Sequence, residues 1–289
     1  MAPHRTIEVK PIAGALGAEI SGVDLKDLDA ETFAAIKAAW LEHLVVFFRD
    51  QTLTPDEQIA FARRFGAIHD HPFMEGMDDH PEILEIIKEE GDTKAFGETW
   101  HTDQMFNPKP AMATILYAKE TPAVGGDTLF ANMYLAYATL SQPMQAAIAG
   151  MKTWNVGDRR KLNDGDTAAP REVRYAGNPK MAAKVRSPGE AATQCAHPLV
   201  RTHPETGRKA LYIGSHTQTL MGFAPAEARP IVEFLKAHSV QPEFTCRFRW
   251  DVGAMAIWDN RCTQHRALND YPGRRRRMHR ITIAGEAPF

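Results

Sequence analysis

Two apolar rhythms divide the chain. Phe33, Ile36, Trp40 and Leu41 recur at helical spacing behind Asp29, whose carboxylate can accept from the first free amides of a helix. The spacing predicts a helix there, running into a strand-like apolar stretch at 44–48. A second helix is bounded by Thr54 as cap, Pro55 in the first turn, Glu57 completing a capping box, and Gly66 after Phe65. Short strands are expected ahead of both, at 6–11 and 18–20, separated by Gly14 and Gly17. From Ile83 onward the rhythm is that of strands, at 83–87, 112–118, 129–131, 197–202, 211–214, 244–250, 254–259 and 278–284. Phe244, Cys246, Phe248 and Trp250 alternate with Thr245, Arg247 and Arg249, the period expected where one sheet face is buried. Helices at 132–140, 142–149 and 226–238 interrupt them and are expected outside the sheets. Many short strands with few helices predict a mainly β fold with flanking helices, a sandwich or barrel. Residues 157–196 follow neither rhythm and carry Gly157, Gly165, Gly177 and Gly189 with Pro170, Pro179 and Pro188. That composition predicts a long loop of the kind that serves as a lid or binding loop. No repeat or linker divides the chain, so one domain over 1–289 is expected, with this insert.

Charge and length narrow the classes of partner. The 289 residues suffice for one large domain, and 34 Lys+Arg against 36 Asp+Glu leave a formal charge of −2. Nothing in that balance favours a nucleic acid. The longest apolar runs fall far short of the roughly 20 residues of a spanning helix, and the N-terminus has no apolar export segment. No membrane partner and a cytoplasmic location are therefore expected. Cys195, Cys246 and Cys262 are odd in number and lack Cys-x-x-Cys spacing, which predicts free thiols.

Among the 12 histidines, His101-Thr102-Asp103 stands at the threshold of the β region behind Trp100. Residues i and i+2 of a strand share a face, so this imidazole and carboxylate can bind one ion. His80-Pro81-Glu82 and His203-Pro204-Glu205 have the same form, but their prolines and the turn-like Glu205-Thr206-Gly207 favour surface loops. A hydrophobic strand at 256–259 leads to His265. His101, Asp103 and His265 would make a ligand set of two imidazoles and a carboxylate, which suits non-haem Fe(II) and also serves catalytic zinc. In the run Arg274 to Arg277, an extended backbone puts Arg276, Met278 and Arg280 on one face, and the apolar Ile281 and Ile283 carry that strand into a core. Arginines buried there need anionic partners. Gly125-Gly126-Asp127-Thr128 can form a tight turn that brings the Thr128 hydroxyl inside.

In order along the chain, residues 17–25, Arg64-Phe65-Gly66, Trp100-His101-Thr102-Asp103, Gly125-Gly126-Asp127-Thr128, Trp258-Asp259-Asn260-Arg261 with His265, and Met278-His279-Arg280 resemble one family. It is the taurine dioxygenase / 2,4-dichlorophenoxyacetate dioxygenase family of Fe(II)- and 2-oxoglutarate-dependent oxygenases. The resemblance covers nearly the whole chain and implies a double-stranded β-helix, a cupin-like jelly-roll. It implies that His101, Asp103 and His265 ligate Fe(II), that Thr128 and Arg276 hold the distal carboxylate of 2-oxoglutarate, and that Arg280 and His71 contact a small anionic organic substrate. O2 would be consumed and succinate and CO2 released. Because Asp103 fills the position that related halogenases leave open, hydroxylation is implied. The taurine enzymes carry a tyrosine where this chain has Met74 and an asparagine where it has Gly97, which points away from taurine toward a bulkier, less polar sulfonate, sulfate ester or carboxylate. Relatives are often dimers or tetramers, so a homo-oligomer is implied. The competing readings are a zinc-dependent hydrolase, which leaves Arg276 and Thr128 unexplained, and a non-catalytic anion-binding jelly-roll.

Overall fold

A computed structural model describes residues 7–157, 175 and 177–289. Its largest sheet has seven strands, in the order β1 (Glu8–Pro11), β2 (Ala18–Ser21), β3 (Val45–Phe48), β13 (Met255–Asp259), β5 (Ala113–Glu120), β15 (Arg276–Ile283) and β4 (Leu84–Lys88). All neighbours are antiparallel except β2 and β3. A three-stranded sheet of β12 (Thr245–Phe248), β6 (Thr128–Asn132) and β14 (Thr263–Ala267) supplies the second layer. The others are β7 (Lys152–Val156) between β8 (Gln194–Pro198) and β11 (Thr217–Leu220), and the pair β9 (Val200–Thr202) with β10 (Lys209–Leu211). The sheets are not closed, and the strand-rich architecture with outer helices agrees with the jelly-roll expectation.

The large sheet is apolar on both faces, which explains why its strands read as apolar runs rather than alternating ones. One face presents Val46, Phe48, Ile115, Tyr117, Met255, Ile257, Ile281 and Ile283 to Ile36, Trp40, Ile59 and Phe61. Those partners come from α1 (Ala30–His43) and α2 (Pro55–Arg63). The opposite face turns Phe47, Leu116, Ala118, Trp258 and Met278 toward Phe130, Cys246 and Phe248 of the second sheet. Phe47 stacks on Phe248 with ring centroids 4.0 Å apart. By the same period of two, Arg276 and Arg280 share the face of Met278 and point into the sandwich.

The expected caps are present: Asp29 accepts from Thr32 N, and Thr54 with Glu57 forms the reciprocal capping box. The Gly125–Gly126 turn adopts φ of 84° and 72°. A Cβ at Gly126 would lie 3.2 Å from Arg276 Cδ, so a side chain at this turn would crowd that arginine. Several boundaries differ from expectation. Segment 244–250 begins with a 3-10 turn at Pro242–Phe244 and pairs only over Thr245–Phe248. Segment 197–202 divides into β8 and β9 at Leu199. The insert at 157–196 is not wholly loop. It contains a short helix (Pro179–Ala183), capped by Asn178, and most of β8; residues 158–174 and 176 lie outside the described residues. His203 is also corrected: the turn after it exists, but its ring is buried, with Nε2 2.9 Å from Asp259 Oδ2. The three cysteines are free, as expected. No described helix is long and apolar enough to cross a membrane.

Candidate active site

The two histidines of the expected triad are backbone partners. His101 N donates to His265 O at 3.1 Å and His265 N donates to His101 O at 2.8 Å, an isolated antiparallel bridge at the mouth of β14. This pairing sets the two imidazoles side by side, with ring centroids 4.1 Å apart. Asp103, two residues beyond His101, joins them, so that one donor atom from each of the three lies within 4.8 Å of the others. Its Oδ1 is 3.7 Å from His101 Nε2, and its Oδ2 is 3.9 Å from His265 Nε2.

Hydrogen bonds fix the orientation of these groups. His101 Nδ1 donates to Thr99 O at 2.6 Å, which leaves the Nε2 lone pair for an ion. Asp103 Oδ2 accepts from Thr114 Oγ1 at 2.6 Å, and Thr114 accepts from Asn260 Nδ2 at 2.9 Å. Asn260 Oδ1 in turn accepts from Trp258 Nε1 at 3.0 Å. Burial would raise the Asp103 pKa, but Arg280, the two histidines and the Thr114 hydroxyl outweigh it and hold the carboxyl far below its usual range. Burial, reinforced by His101, keeps the His265 ring neutral. A divalent ion requires an ionised carboxylate and unprotonated imidazoles, and Asp103 and His265 are held in those forms.

A second buried cluster, His203, Asp259 and Cys262, also has ligand-type atoms within 4.8 Å. It is already neutralised: Arg261 forks onto Asp259, with Nε to Oδ1 at 2.9 Å and Nη2 to Oδ2 at 2.7 Å. Such a bidentate pair occupies the carboxylate that an ion would need.

Beside the triad lies a buried cationic end. Arg276 is 6% exposed, and its Nε and Nη2 find no hydrogen-bond partner among the described residues. Its guanidinium lies 5.8 Å from the ring of Trp250. Trp250 Nε1 donates to Thr128 Oγ1 at 3.0 Å, which leaves the Thr128 hydroxyl proton free to donate elsewhere. Thr128, Arg276, His101, Asp103 and His265 line one narrow cleft. A buried cation with two idle donors beside a free hydroxyl fits a carboxylate.

Arg280 occupies the next inward position on β15. Its Nη2 lies 2.8 Å from Asp103 Oδ1, and its Nη1 is buried without a partner among the described residues. The loop after α2 is stitched to the end of β15 by His69 N donating to Thr282 O and by the Ile68–Ile283 bridge. That attachment carries His71 to Arg280. Burial and the Arg280 charge keep the His71 ring neutral, and its Nδ1 accepts from Phe73 N at 3.1 Å, so the ring proton sits on Nε2.

The triad opens onto a cavity of about 210 Å3 whose walls include His71, Phe73, Met74, Phe96, Phe106 and His216. Phe106 is seated against Gly157, where a Cβ would come 2.8 Å from its ring. Met74 is buried in this wall, which is therefore more apolar than a tyrosine would make it. Gly97 has φ 83°, and a Cβ there would lie 3.3 Å from His101 Cε1. The structure thus brings His71, His101, Asp103, Thr128, His265, Arg276 and Arg280 to the two adjoining cavities of the triad. Sequence reasoning missed Thr114, Gln104, His216 and the aromatic walls. Thr114 gave a signal as the polar residue in the apolar run of β5, whereas the others depend on contacts between distant segments.

The sequence matches the family described as "Taurine catabolism dioxygenase TauD, TfdA family" over residues 8–282. It is 37% identical to an alpha-ketoglutarate-dependent sulfate ester dioxygenase of Pseudomonas putida, an alignment covering 99% of this chain and 93% of the relative. A taurine dioxygenase from Burkholderia xenovorans superposes with a TM-score of 0.80 at 35% identity, covering 98% of this chain and 90% of that one. AAD-2 in complex with Mn(II) and N-oxalylglycine superposes with a TM-score of 0.77 at 27% identity, covering 98% and 99%. On its sequence match along nearly the whole length, the chain belongs to the TauD, TfdA family of dioxygenases.

Proposed function

We propose that this protein is an Fe(II)- and 2-oxoglutarate-dependent dioxygenase that hydroxylates a sulfate ester at the carbon bonded to the ester oxygen. His101, Asp103 and His265 hold the iron, and Thr128 and Arg276 hold the distal carboxylate of 2-oxoglutarate. With O2 and 2-oxoglutarate, the bound iron supplies the oxidising power that replaces a C–H hydrogen by hydroxyl, with release of succinate and CO2. The chain's own work is placement. Thr114 and Thr99 orient two of the ligands, Arg276 selects a dicarboxylic acid of fixed length, and Arg280 with His71 grips the anionic group of the substrate. The cavity walls of Phe73, Met74, Phe96 and Phe106 receive the apolar remainder and exclude water.

The observation that carries the reading is the buried Arg276 with two idle donors in the cleft of the triad, which a zinc hydrolase would leave unemployed. The sulfate ester is favoured by the apolar wall at Met74 and by the relative named for that substrate. Hydroxylation next to the ester oxygen gives a hemiacetal-type product that loses hydrogen sulfate and leaves an aldehyde. The test is succinate release with Fe(II), 2-oxoglutarate and air over a panel of alkyl sulfates, alkanesulfonates, aryloxy acids and taurine. Alkyl sulfates are expected to give succinate, aldehyde and sulfate in equal amounts. A stable hydroxylated product would remove the fragmentation step, and turnover of sulfate esters without oxygen would remove the oxygenase. Residues 1–289 are read as one domain, in keeping with the span of the family match.

A further inference from the structure

We propose that Gln104, oriented by His69, donates to the third oxygen of the substrate's anionic group and so sets a preference for sulfate esters and sulfonates over carboxylates. The proposal rests on the reading that Arg280 and His71 hold that group. Gln104 directly follows the ligand Asp103 and is 3% exposed, and its backbone is left-handed, with φ 55°. Among the described residues only Leu44 and Asp50 share that conformation without being glycine. A side chain held so is over-determined by its surroundings, a state concentrated at ligand-binding positions. The residue lines the cavity at the triad, yet neither its Nε2 nor its Oε1 has a hydrogen-bond partner among the described residues. A buried carboxamide with both ends idle is costly, and a bound group that engages it removes that cost.

His71 links the idle groups, lining one pocket with His69 and Arg280 and the triad cavity with Gln104. Arg280 Nη1 and His69 Nε2 are also buried without partners among the described residues. His69 responds to both neighbours: Gln104 raises its pKa by hydrogen bonding and Arg280 lowers it, while burial dominates and keeps the ring neutral. His71, whose proton sits on Nε2, feels Arg280 and His69 as well. In the bound state the His69 Nε2–H would donate to Gln104 Oε1 and turn the amide NH2 toward the substrate. Three donor groups then converge, namely Arg280 Nη1, His71 Nε2 and Gln104 Nε2. A sulfate ester or sulfonate offers three terminal oxygens to meet them. A carboxylate offers two, which leaves one donor buried and unpaired.

The test measures binding without turnover, by calorimetry on protein loaded with Mn(II) and 2-oxoglutarate, using hexyl sulfate, hexane-1-sulfonate and heptanoate. The unsubstituted protein is expected to bind both sulfur anions more tightly than heptanoate. Gln104→Leu should weaken both by about 10- to 100-fold while heptanoate changes little, and the affinity for 2-oxoglutarate should be unchanged. His69→Phe should reproduce part of this selective loss. Gln104→Met, with the same chain length, serves if the leucine variant fails to fold. Equal weakening of all three anions, or none, overturns the role of Gln104 alone. Failure of the unsubstituted protein to bind any of them overturns the underlying assignment of the substrate site as well.

Discussion

Thr114→Val tests whether the metal carboxylate is held by its neighbours or by the ion alone. The substitution keeps the shape of a fully buried side chain and removes two hydrogen bonds, to Asp103 Oδ2 at 2.6 Å and from Asn260 Nδ2 at 2.9 Å. The first is charge-assisted, a class of bond that contributes about 1.5 to 3 kcal/mol. The second leaves Asn260 Nδ2 buried without its acceptor, a further cost of about 1 kcal/mol or more. Unfolding by urea should therefore show a loss of about 3 kcal/mol. Asp103 then keeps Arg280 Nη2 as its remaining polar side-chain anchor among the described residues, and loss of such support lowers metal affinity by about 10- to 100-fold. Titration of the metal-free protein with Mn(II) or Co(II) measures that fall, and Thr114→Ser should recover most of it. A valine variant that binds metal as tightly as the unsubstituted protein would refute the idea that the Thr114 hydroxyl orients the carboxylate.

Arg276→Met should abolish 2-oxoglutarate binding measured by calorimetry, while the metal-free protein becomes more stable by about 1 to 3 kcal/mol because a buried unpaired cation is gone; a less stable variant would mean that Arg276 already has a structural partner. Arg280→Ala should raise the substrate KM and let succinate form without product, with 2-oxoglutarate binding largely kept, and equal loss of both affinities would contradict the division between the two arginines. His279 is held down to about 4 by burial, reinforced by Lys119 and Arg277, against an ordinary value of 6.5. The unfolded chain takes up this proton first as pH falls, so its contribution is complete above pH 6.5 and is lost toward pH 4. The loss amounts to about 3 kcal/mol. Chemical denaturation across that range should show it, and His279→Asn should flatten the slope.

What could be read from sequence followed how local each signal was. The central strands were legible because both faces of the large sheet are buried, so β3, β5, β13 and β15 stand out as apolar. The caps at Asp29 and Thr54 were legible because their partners are three residues away. Strands β7 and β11 were not, since their buried residues are partly polar. Asn155 Nδ2 donates to Thr153 Oγ1, and Thr217 donates to Asn155 Oδ1, so hydrogen bonds replace the apolar pattern there. His203 misled because the turn after it is real while its ring points inward to Asp259, a contact across 56 positions. At the site, the residue types of the triad and the phase of Arg276 and Arg280 were readable. Thr114 showed only as a polar residue in the apolar run of β5, and the roles of Asn260 and Gln104 were not legible, because they depend on segments far away in the chain.

The bridge between His101 and His265 makes the metal site a matter of phase. A strand alternates faces at every step, so losing or gaining one residue within either short segment would aim an imidazole at the opposite layer. Length changes elsewhere between the two are free of that penalty. The turn at Gly207, with φ 68° and open space around it, lies in that permissive stretch. A break in the backbone there divides the ligands between two fragments, and reassembly of the amide pair is what reunites them. The site is thus written in two halves that recognise each other through peptide groups before any ion arrives.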